Sequence, residues 1–492
     1  MKKRQVSYIL FGILLLALFL RTYNLHEPGF SFDELSTLAW TSSNMVEDLY
    51  VNEPYKSTES VAQVIQHSSS FQYPPTYYIF VLAWVNNVQD ISEASIRLIT
   101  VIMNLAGIMF VFLIGKELSN EKAGLISAFV FSILPFSLLW SRQAVNYHIA
   151  ATFFAGSMCY FFRLLKNKKL EELILHYIFT LVLVFINHYG VLIVIIQGLI
   201  LIVWNKKWKE KLKSLIWQLP LYSTLLIYFP FFLRFASGRL VTKMVAKDAN
   251  IFLVNLIAQI KNIIGNNLFS TNRPVIPLFF FLTIFVLFFI LVLMKKERQN
   301  AKIILILFAI PFLFTSILPN TFKSKCYVIF FPLIFSLLIG FLISELIKFN
   351  VIWKILSIVI LFFIFYSSID PAWDLTFHKY ENGRFHPNYR EMADYIKENV
   401  EEEQVVAISH TYPSQIFQYY NHNINMLTIN EKENNKSYSS IKKLNSIWYI
   451  KIGDNWKGFN KELEKFLDNN FVKKKIIPKF EKNADKLIYY SD

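Results

Sequence analysis

Long uninterrupted apolar runs dominate the first three quarters of the chain, with neither the period of two expected of half-buried strands nor the narrow stripe of a surface helix. They lie at 5–20, 95–115, 123–140, 147–164, 172–187, 189–204, 215–233, 275–294, 302–318, 326–346 and 352–368. Each is close to the roughly 20 residues a helix needs to cross a hydrocarbon core about 30 Å thick. The pattern therefore predicts eleven crossings. The first run follows KKR like a secretory signal, but no small-x-small cleavage site precedes Arg21, so it is expected to stay as the first transmembrane helix. After Ser368 the pattern shortens. NYREMADYIKENV reads as a helix, EQVVAIS as a strand, SQIFQYYN as a short helix, INMLTI and SIWYIKI as strands, KELEKFLDNN as a helix and KLIYYS as a final extended piece. The expected fold is an all-α polytopic membrane domain over 1–369, followed by a small extracytoplasmic α/β domain over 370–492.

Composition agrees with a lipid solvent: 54% of the 492 residues are hydrophobic and 17% aromatic, with only 14 Gly. The net charge of +15 is unevenly placed. Residues 370–492 hold 18 Lys+Arg and 18 Asp+Glu, which leaves 50 − 18 = 32 cations against 35 − 18 = 17 acids before them. With the amino terminus in the cytoplasm, KKR, the Lys116/Lys122 turn, RLLKNKK, NKKWKEKLK, KKERQNAK and Lys348/Lys354 place 20 of those 32 cations in short inner loops. The charge thus reads as topological, and no nucleic-acid partner is expected because the carboxyl-terminal part has no basic stripe with interleaved aromatics. Cys159 and Cys326 fall in or beside apolar runs without metal-ligand spacing, so neither a disulfide framework nor a metal site is predicted.

The segment PPTYYIFVLAWVNN is apolar but short, opens with a Pro pair and is rich in Tyr and Trp. If it crossed, NKKWKEKLK would face outward, so it is read as a juxtamembrane helix on the outer surface, with Tyr77 and Trp84 in an interfacial belt. Residues 21–93 then form one long exterior loop. Residues 234–274 form another, with an amphipathic patch IFLVNLIAQIKNII, and INHYG makes a tight outer hairpin.

Nine of the 17 acids before Asp370 lie in that first exterior loop, including the adjacent pair Asp33 and Glu34 in EPGFSFDELSTLAW. A carboxylate just outside lipid can take a proton from an acceptor hydroxyl or hold a divalent cation, tasks suited to a place where a polar substrate meets a lipid-borne one. The plainer role is to cap and solvate a helix starting at Leu35, with Ser31 or Asp33 as N-cap. The spans hold almost no ionisable group at mid-depth, which argues against the other class considered, a lipid-linked glycan flippase or transporter.

The order of several motifs resembles the GT-C glycosyltransferases, the superfamily of the protein O-mannosyltransferases and the lipid A aminoarabinose transferase. EPGFSFDE follows the first helix; YPPTYYIFVLAW, Arg97-Leu98, GKELSNEKAG and LPFSLLWSRQAVNYHIA follow in turn. The likeness is specific over residues 1–165 and architectural beyond. It implies a GT-C-like fold in the cell membrane and transfer of a sugar from a polyprenyl-phosphate donor to a glycan, lipid or protein acceptor outside the cytoplasm. It also implies inversion, with Asp33 as general base and Glu34 beside it. The resemblance fixes no cofactor, and a divalent cation held with Glu34 stays open.

Three departures bear on the site. Tyr73 stands where a His or Lys often precedes the Pro pair. SRQAVNYH has no acid, so a metal bridged between two loops lacks its second carboxylate, although Glu34 could still ligate. In FKSKCYVIFFP, Lys325 is one residue from where relatives place an Arg. The partner of the donor phosphate therefore lies among Arg142, Lys323 and Lys325, whose plainer role is interfacial snorkelling. Tyr73, Arg97, Tyr147 and His188 complete the candidate substrate contacts; for His188 and His148 a hydrogen-bonded structural role is the plainer reading.

Overall fold

The computed structural model describes residues 2–27, 29–42, 60–70, 74–204, 215–223, 226, 298–317, 320–376, 389–401, 403–408, 417, 420, 425–428, 441–451, 457–477 and 486–491. Its helices begin with α1 (Lys3–Thr22), α2 (Phe32–Trp40), α3 (Val61–Ser70), α4 (Thr76–Val88), α5 (Glu93–Leu118), α6 (Glu121–Ile133), α7 (Pro135–Ser141) and α8 (Asn146–Asn167). There follow α9 (Leu170–Ile186), a 3-10 turn (His188–Val191), α10 (Leu192–Trp204), α11 (Arg298–Ile317), α12 (Asn320–Leu346), α13 (Val351–Thr376), α14 (Tyr389–Asn399) and α15 (Lys457–Asn470). Five strands belong to the last part of the chain: β1 (Val405–Ile408), β2 (Met426–Thr428), β3 (Ser446–Lys451), β4 (Val472–Ile476) and β5 (Lys486–Ser491). The chain divides into two compact units. One comprises Met1–Tyr23, Ile65–Phe80 and Arg97–Thr376; the other comprises Asn24–Val64, Val81–Ile96 and Phe377–Asp492.

The first unit is helical. Among the described residues, α1, α5, α8 and the 329–346 stretch of α12 are long and apolar enough to cross a membrane. The pair α6–α7, bent by 63°, makes a fifth if it is one span. Helices also occupy the runs at 172–187, 189–204, 302–318 and 352–368, but α9 has 17 residues and α10 has 13, short of a full crossing. The run at 275–294, the patch within 234–274 and the polar loop at 430–440 lie outside the described residues.

Within this unit α8 packs on α9, α12 on α6 and α8, and α1 on α6. Small residues let backbones approach: a Cβ on Gly340 of α12 would fall 2.5 Å from the carbonyl oxygen of Ala123 in α6. Polar bonds join neighbouring helices where lipid supplies no hydrophobic drive. Ser157 of α8 meets Thr180 of α9 (2.6 Å), Gln197 of α10 donates to Ser157 Oγ (2.9 Å), and His176 Nε2 lies 3.3 Å from Gln218 Oε1. His176 is a buried exception to the expected scarcity of ionisable groups, and it meets the neutral groups Gln218, Thr180 and the carbonyl of Ser157.

The basic turns at the ends of α5, α8 and α12 meet acids there. Glu117 accepts from Lys166 (2.9 Å) and forms an ion pair with Arg163 (3.7 Å), Lys116 pairs with Glu121 (3.1 Å), and Glu345 accepts from Ser119 (3.1 Å) and Lys348 (2.5 Å).

The 74–87 segment corrects one expectation, the place of Tyr77. Its helix α4 is 13 residues long, too short to cross, as predicted. Yet Tyr77, Tyr78, Val81, Leu82 and Val85 are all buried within the protein. Tyr77, edge-on to Tyr78 with ring centroids 5.1 Å apart, is a core residue and not part of an interfacial belt. These buried positions share one face of α4, whereas Phe80 and Val88 are exposed, so the helix packs one side against protein.

In the second unit the strands form one sheet in the order β2-β1-β3-β5-β4. β1 is parallel to β2 and β3, whereas β5 is antiparallel to β3 and β4. Alternate β3 side chains serve opposite faces. Trp448 and Ile450 pack with Met392, Ala393 and Ile396 of α14, while Ile447 and Tyr449 pack with Leu463 and Leu467 of α15. The predicted strands and helices are found in this order; of SQIFQYYN, only Phe417 and Tyr420 are described, both helical. β4, sequence VKKKI, was not expected as a strand. Its position explains it: β4 is an edge, and exposed lysines are what an edge strand carries to discourage pairing with another chain.

Candidate active site

The acidic pair sits at the start of α2. The helix begins at Phe32, not Leu35, and Ser31 is its N-cap. Ser31 and Glu34 form a capping box: Ser31 Oγ accepts the Glu34 N–H (3.4 Å), and Glu34 Oε2 accepts the Ser31 N–H (2.9 Å). Two backbone donors that a helix start leaves without intrahelical partners are thereby satisfied. Glu34 is 0% exposed, and Leu35, Leu38, Ala39 and Trp40 are buried beyond it.

Asp33 behaves differently. From Ser31 to Trp40 every residue whose side chain is described is buried except Asp33, which is exposed. Its backbone carbonyl accepts from Thr37 Oγ1 (3.0 Å), but its carboxylate has no hydrogen-bonding partner among the described residues. It is left with both oxygens available.

The first unit gathers a second polar cluster at the end of α1 and around the α6–α7 bend. Arg142, at the end of α7, is 3% exposed and donates from Nη1 to the carbonyl of Leu20 (2.9 Å). Arg21, in the last turn of α1, is fully buried. It donates from Nη1 to the carbonyls of Ala17 (3.2 Å) and Ser132 (3.0 Å), and from Nη2 to Ser137 Oγ (3.3 Å). Ser132 is in the last turn of α6, where carbonyls lack an intrahelical donor, so Arg21 closes the break that precedes Pro135.

Arg142 thus bonds to the backbone of the residue next to Arg21, which puts both guanidiniums in one cluster. Two guanidiniums brought together in this way favour an anion beside them. His148 completes the cluster, with Nε2 against Asn104 Nδ2 and 3.4 Å from Ser137 Oγ, its ring stacked on Phe131 at 5.8 Å.

The other candidates are placed as follows. Tyr147 is buried in the first turn of α8, edge-on to Trp140 at 5.4 Å. Arg97 is buried in α5. His188 opens the 3-10 turn between α9 and α10, where Asn187 Oδ1 accepts the N–H of Tyr189 (3.0 Å), so INHYG is the tight turn expected. Lys323 and Lys325 are within α12, but their side chains, like the whole of Tyr73, lie outside the described residues. Asp33 and Glu34 belong to the second unit, and Arg142, Arg97, Tyr147 and His188 to the first.

The sequence did not single out Arg21, which was read as the limit of the first span. The signal for it was weak: one Arg closing an apolar run is also how a snorkelling boundary residue looks. No group of three or more metal-ligating side chains occurs among the described residues.

Comparison with known proteins places this geometry. The family described as dolichyl-phosphate-mannose-protein mannosyltransferase matches residues 73–233. No curated protein matches the chain. Among solved structures, the Archaeoglobus fulgidus oligosaccharyltransferase in the apo form is similar with a TM-score of 0.54 at 12% identity, over 91% of this chain and 70% of that one. The same organism's AglB, in complex with an inhibitory peptide and a dolichol-phosphate, gives 0.52 at 13% identity, over 91% and 70%. ArnT from Cupriavidus metallidurans bound to undecaprenyl phosphate gives 0.50 at 11% identity, over 99% and 97%. With its apolar helices, the chain has a polytopic membrane fold. Over residues 73–233 it is similar to the dolichyl-phosphate-mannose-protein mannosyltransferase family, and its fold is similar to those of the oligosaccharyltransferase and ArnT.

Proposed function

We propose that the protein moves a sugar from a polyprenyl-phosphate donor to an acceptor hydroxyl outside the cytoplasm, with inversion at the anomeric carbon. Asp33 accepts the proton of the acceptor hydroxyl. The acceptor oxygen bonds to the anomeric carbon as the bond from that carbon to the phosphate oxygen breaks, and the polyprenyl phosphate leaves with the electron pair. One displacement inverts the centre once. The leaving phosphate gathers charge as it departs, and a cation from Arg142, Lys323 or Lys325 stabilises it. The observation that supports this reading best is the contrast within α2: Glu34 is bound into the capping box, whereas Asp33 is exposed on a helix otherwise buried.

The donor class rests on the dolichol-phosphate and undecaprenyl phosphate held by the similar structures. The same reading takes the membrane domain to cross eleven times, with the amino terminus cytoplasmic and 370–492 outside the cell membrane. The test combines two measurements on the purified protein: mass spectrometry of co-purifying lipids, and transfer from a synthetic polyprenyl-phosphate sugar. Detection of a bound polyprenyl phosphate together with transfer supports the proposal. Transfer only from a nucleotide sugar overturns it.

A further inference from the structure

The segment that leads into α2 is held by side chains from the far end of the sequence. Arg390, in the first turn of α14, donates from Nη1 to Glu93 Oε1 (3.0 Å) and from Nη2 to the carbonyl of Glu27 (3.0 Å). Tyr420 donates its hydroxyl to the same Glu93 oxygen (3.0 Å) and accepts the N–H of Phe30 (2.5 Å). Gly29 lies between them: a Cβ there would fall 2.9 Å from Arg390 Cβ and 2.9 Å from the Tyr420 hydroxyl oxygen. Its backbone is outside the left-handed region, so what it supplies is room for close approach.

These contacts fix the chain immediately before the catalytic candidate. Phe30 is followed by Ser31, the N-cap of α2, and Asp33 is in the first turn. Holding Glu27 and Phe30 therefore sets where α2 starts and which way Asp33 faces. The Arg390–Glu93 pair is largely shielded, with the Glu93 side chain 12% exposed, so it is stiffer and less screened than a surface pair.

We propose that Glu93, Arg390 and Tyr420 are positioning residues for Asp33, which makes the carboxyl-terminal α/β region a working part of the transferase. The proposal rests on the reading of Asp33 as general base. A base must lie within hydrogen-bonding reach of the proton it takes, and a displacement of about 1 Å can cost on the order of a hundredfold in rate.

The experiment uses the purified full chain with its lipid donor and compares Tyr420→Phe, Arg390→Lys and Gly29→Ala with wild type. Each is expected to lower kcat about tenfold or more while KM for the donor stays within about twofold, because orientation is lost and binding is not. Hydrogen exchange should rise in a peptide covering 29–35, with β3 still protected. In an Asp33→Asn background, Tyr420→Phe should cause no further loss. Near-wild-type kcat in both Tyr420→Phe and Arg390→Lys overturns the proposal. So does exchange rising equally in β3, which would mean general loosening, and so does a full additional loss in the Asp33→Asn background. If Gly29→Ala does not fold, Tyr420→Phe still decides, since it removes one hydroxyl. The two readings fail separately. An active Asp33→Asn enzyme removes the base assignment, whereas an inactive Asp33→Asn beside normal clamp variants removes the positioning role alone.

Discussion

Ser31 and Glu34 hold each other's backbone N–H groups, at 3.4 and 2.9 Å, and so two adjacent carboxylates have different work. Glu34 is part of the helix start. Asp33 is not. Asp33→Asn should therefore leave the melting temperature unchanged and reduce sugar transfer about a hundredfold or more, the usual scale for removing a general base. A turnover assay with the lipid donor, run beside a thermal melt, checks both halves of the expectation.

The capping box makes the opposite prediction for its own members. Ser31→Ala and Glu34→Ala should each destabilise the protein by about 0.5–2 kcal/mol, and the double variant should lose less than the sum, because the two bonds form one motif. Glu34→Gln keeps an acceptor oxygen and should be milder. If a divalent cation is used at this pair, a chelator will stop transfer by the wild-type enzyme, and Glu34→Gln will then be as damaging as Asp33→Asn.

Arg142→Ala should weaken use of the phosphate-bearing donor by roughly 2–5 kcal/mol, the cost of taking one partner from a desolvated charge pair. Arg21→Ala should chiefly lower stability, since its bonds to Ser132 and Ser137 close the α6–α7 break. Donor saturation curves and melts on the two variants separate these roles. Normal donor use by Arg142→Ala moves the phosphate role to Lys325 or Lys323.

Orientation is open to a direct test in a background lacking Cys159 and Cys326. Lys443→Cys, exposed in the second unit, should react with an impermeant thiol reagent in intact cells, and Lys169→Cys, exposed between α8 and α9, should not. The positive-inside distribution of the loops requires that order of labelling. Reversed labelling would place 370–492 in the cytoplasm.

Tyr490 is buried in the sheet and donates to Asp468 Oδ1 at 3.0 Å; burial first, and the neighbouring carboxylate second, push its hydroxyl well above the usual tyrosine range. Because the folded state favours the protonated form, this contribution is complete below the ordinary value of 10.0 and is lost as pH rises past it. Tyr490→Phe should flatten the alkaline side of a stability profile measured between pH 8 and about 12.

Much of this arrangement is readable in the residues themselves, for reasons that can be named. SFDE contains the S-x-x-E spacing of a capping box, a signal that lies in the sequence even though the start of α2 was expected three residues later. The alternation in SIWYIKI gave β3, since each face of the sheet has its own helix. VKKKI concealed a strand because its lysines suit an edge, and edges are a property of the assembled sheet. Tyr77 was misread because a Tyr packed against protein and one in an interfacial belt look the same in a short aromatic run. The Arg390–Glu93 pair was beyond reach: the two residues are 297 positions apart, and no local pattern announces such a meeting.

That separation has a consequence for how the molecule is made. At roughly 5–20 residues per second, the chain between Glu93 and Arg390 takes on the order of 15–60 s to leave the ribosome. During that interval the segment before α2 exists without the two side chains that later hold it, while the helices between are being inserted. The segment before α2 is translated well ahead of its anchors, so a stop codon anywhere between Glu93 and Arg390 leaves a chain in which that segment never receives them.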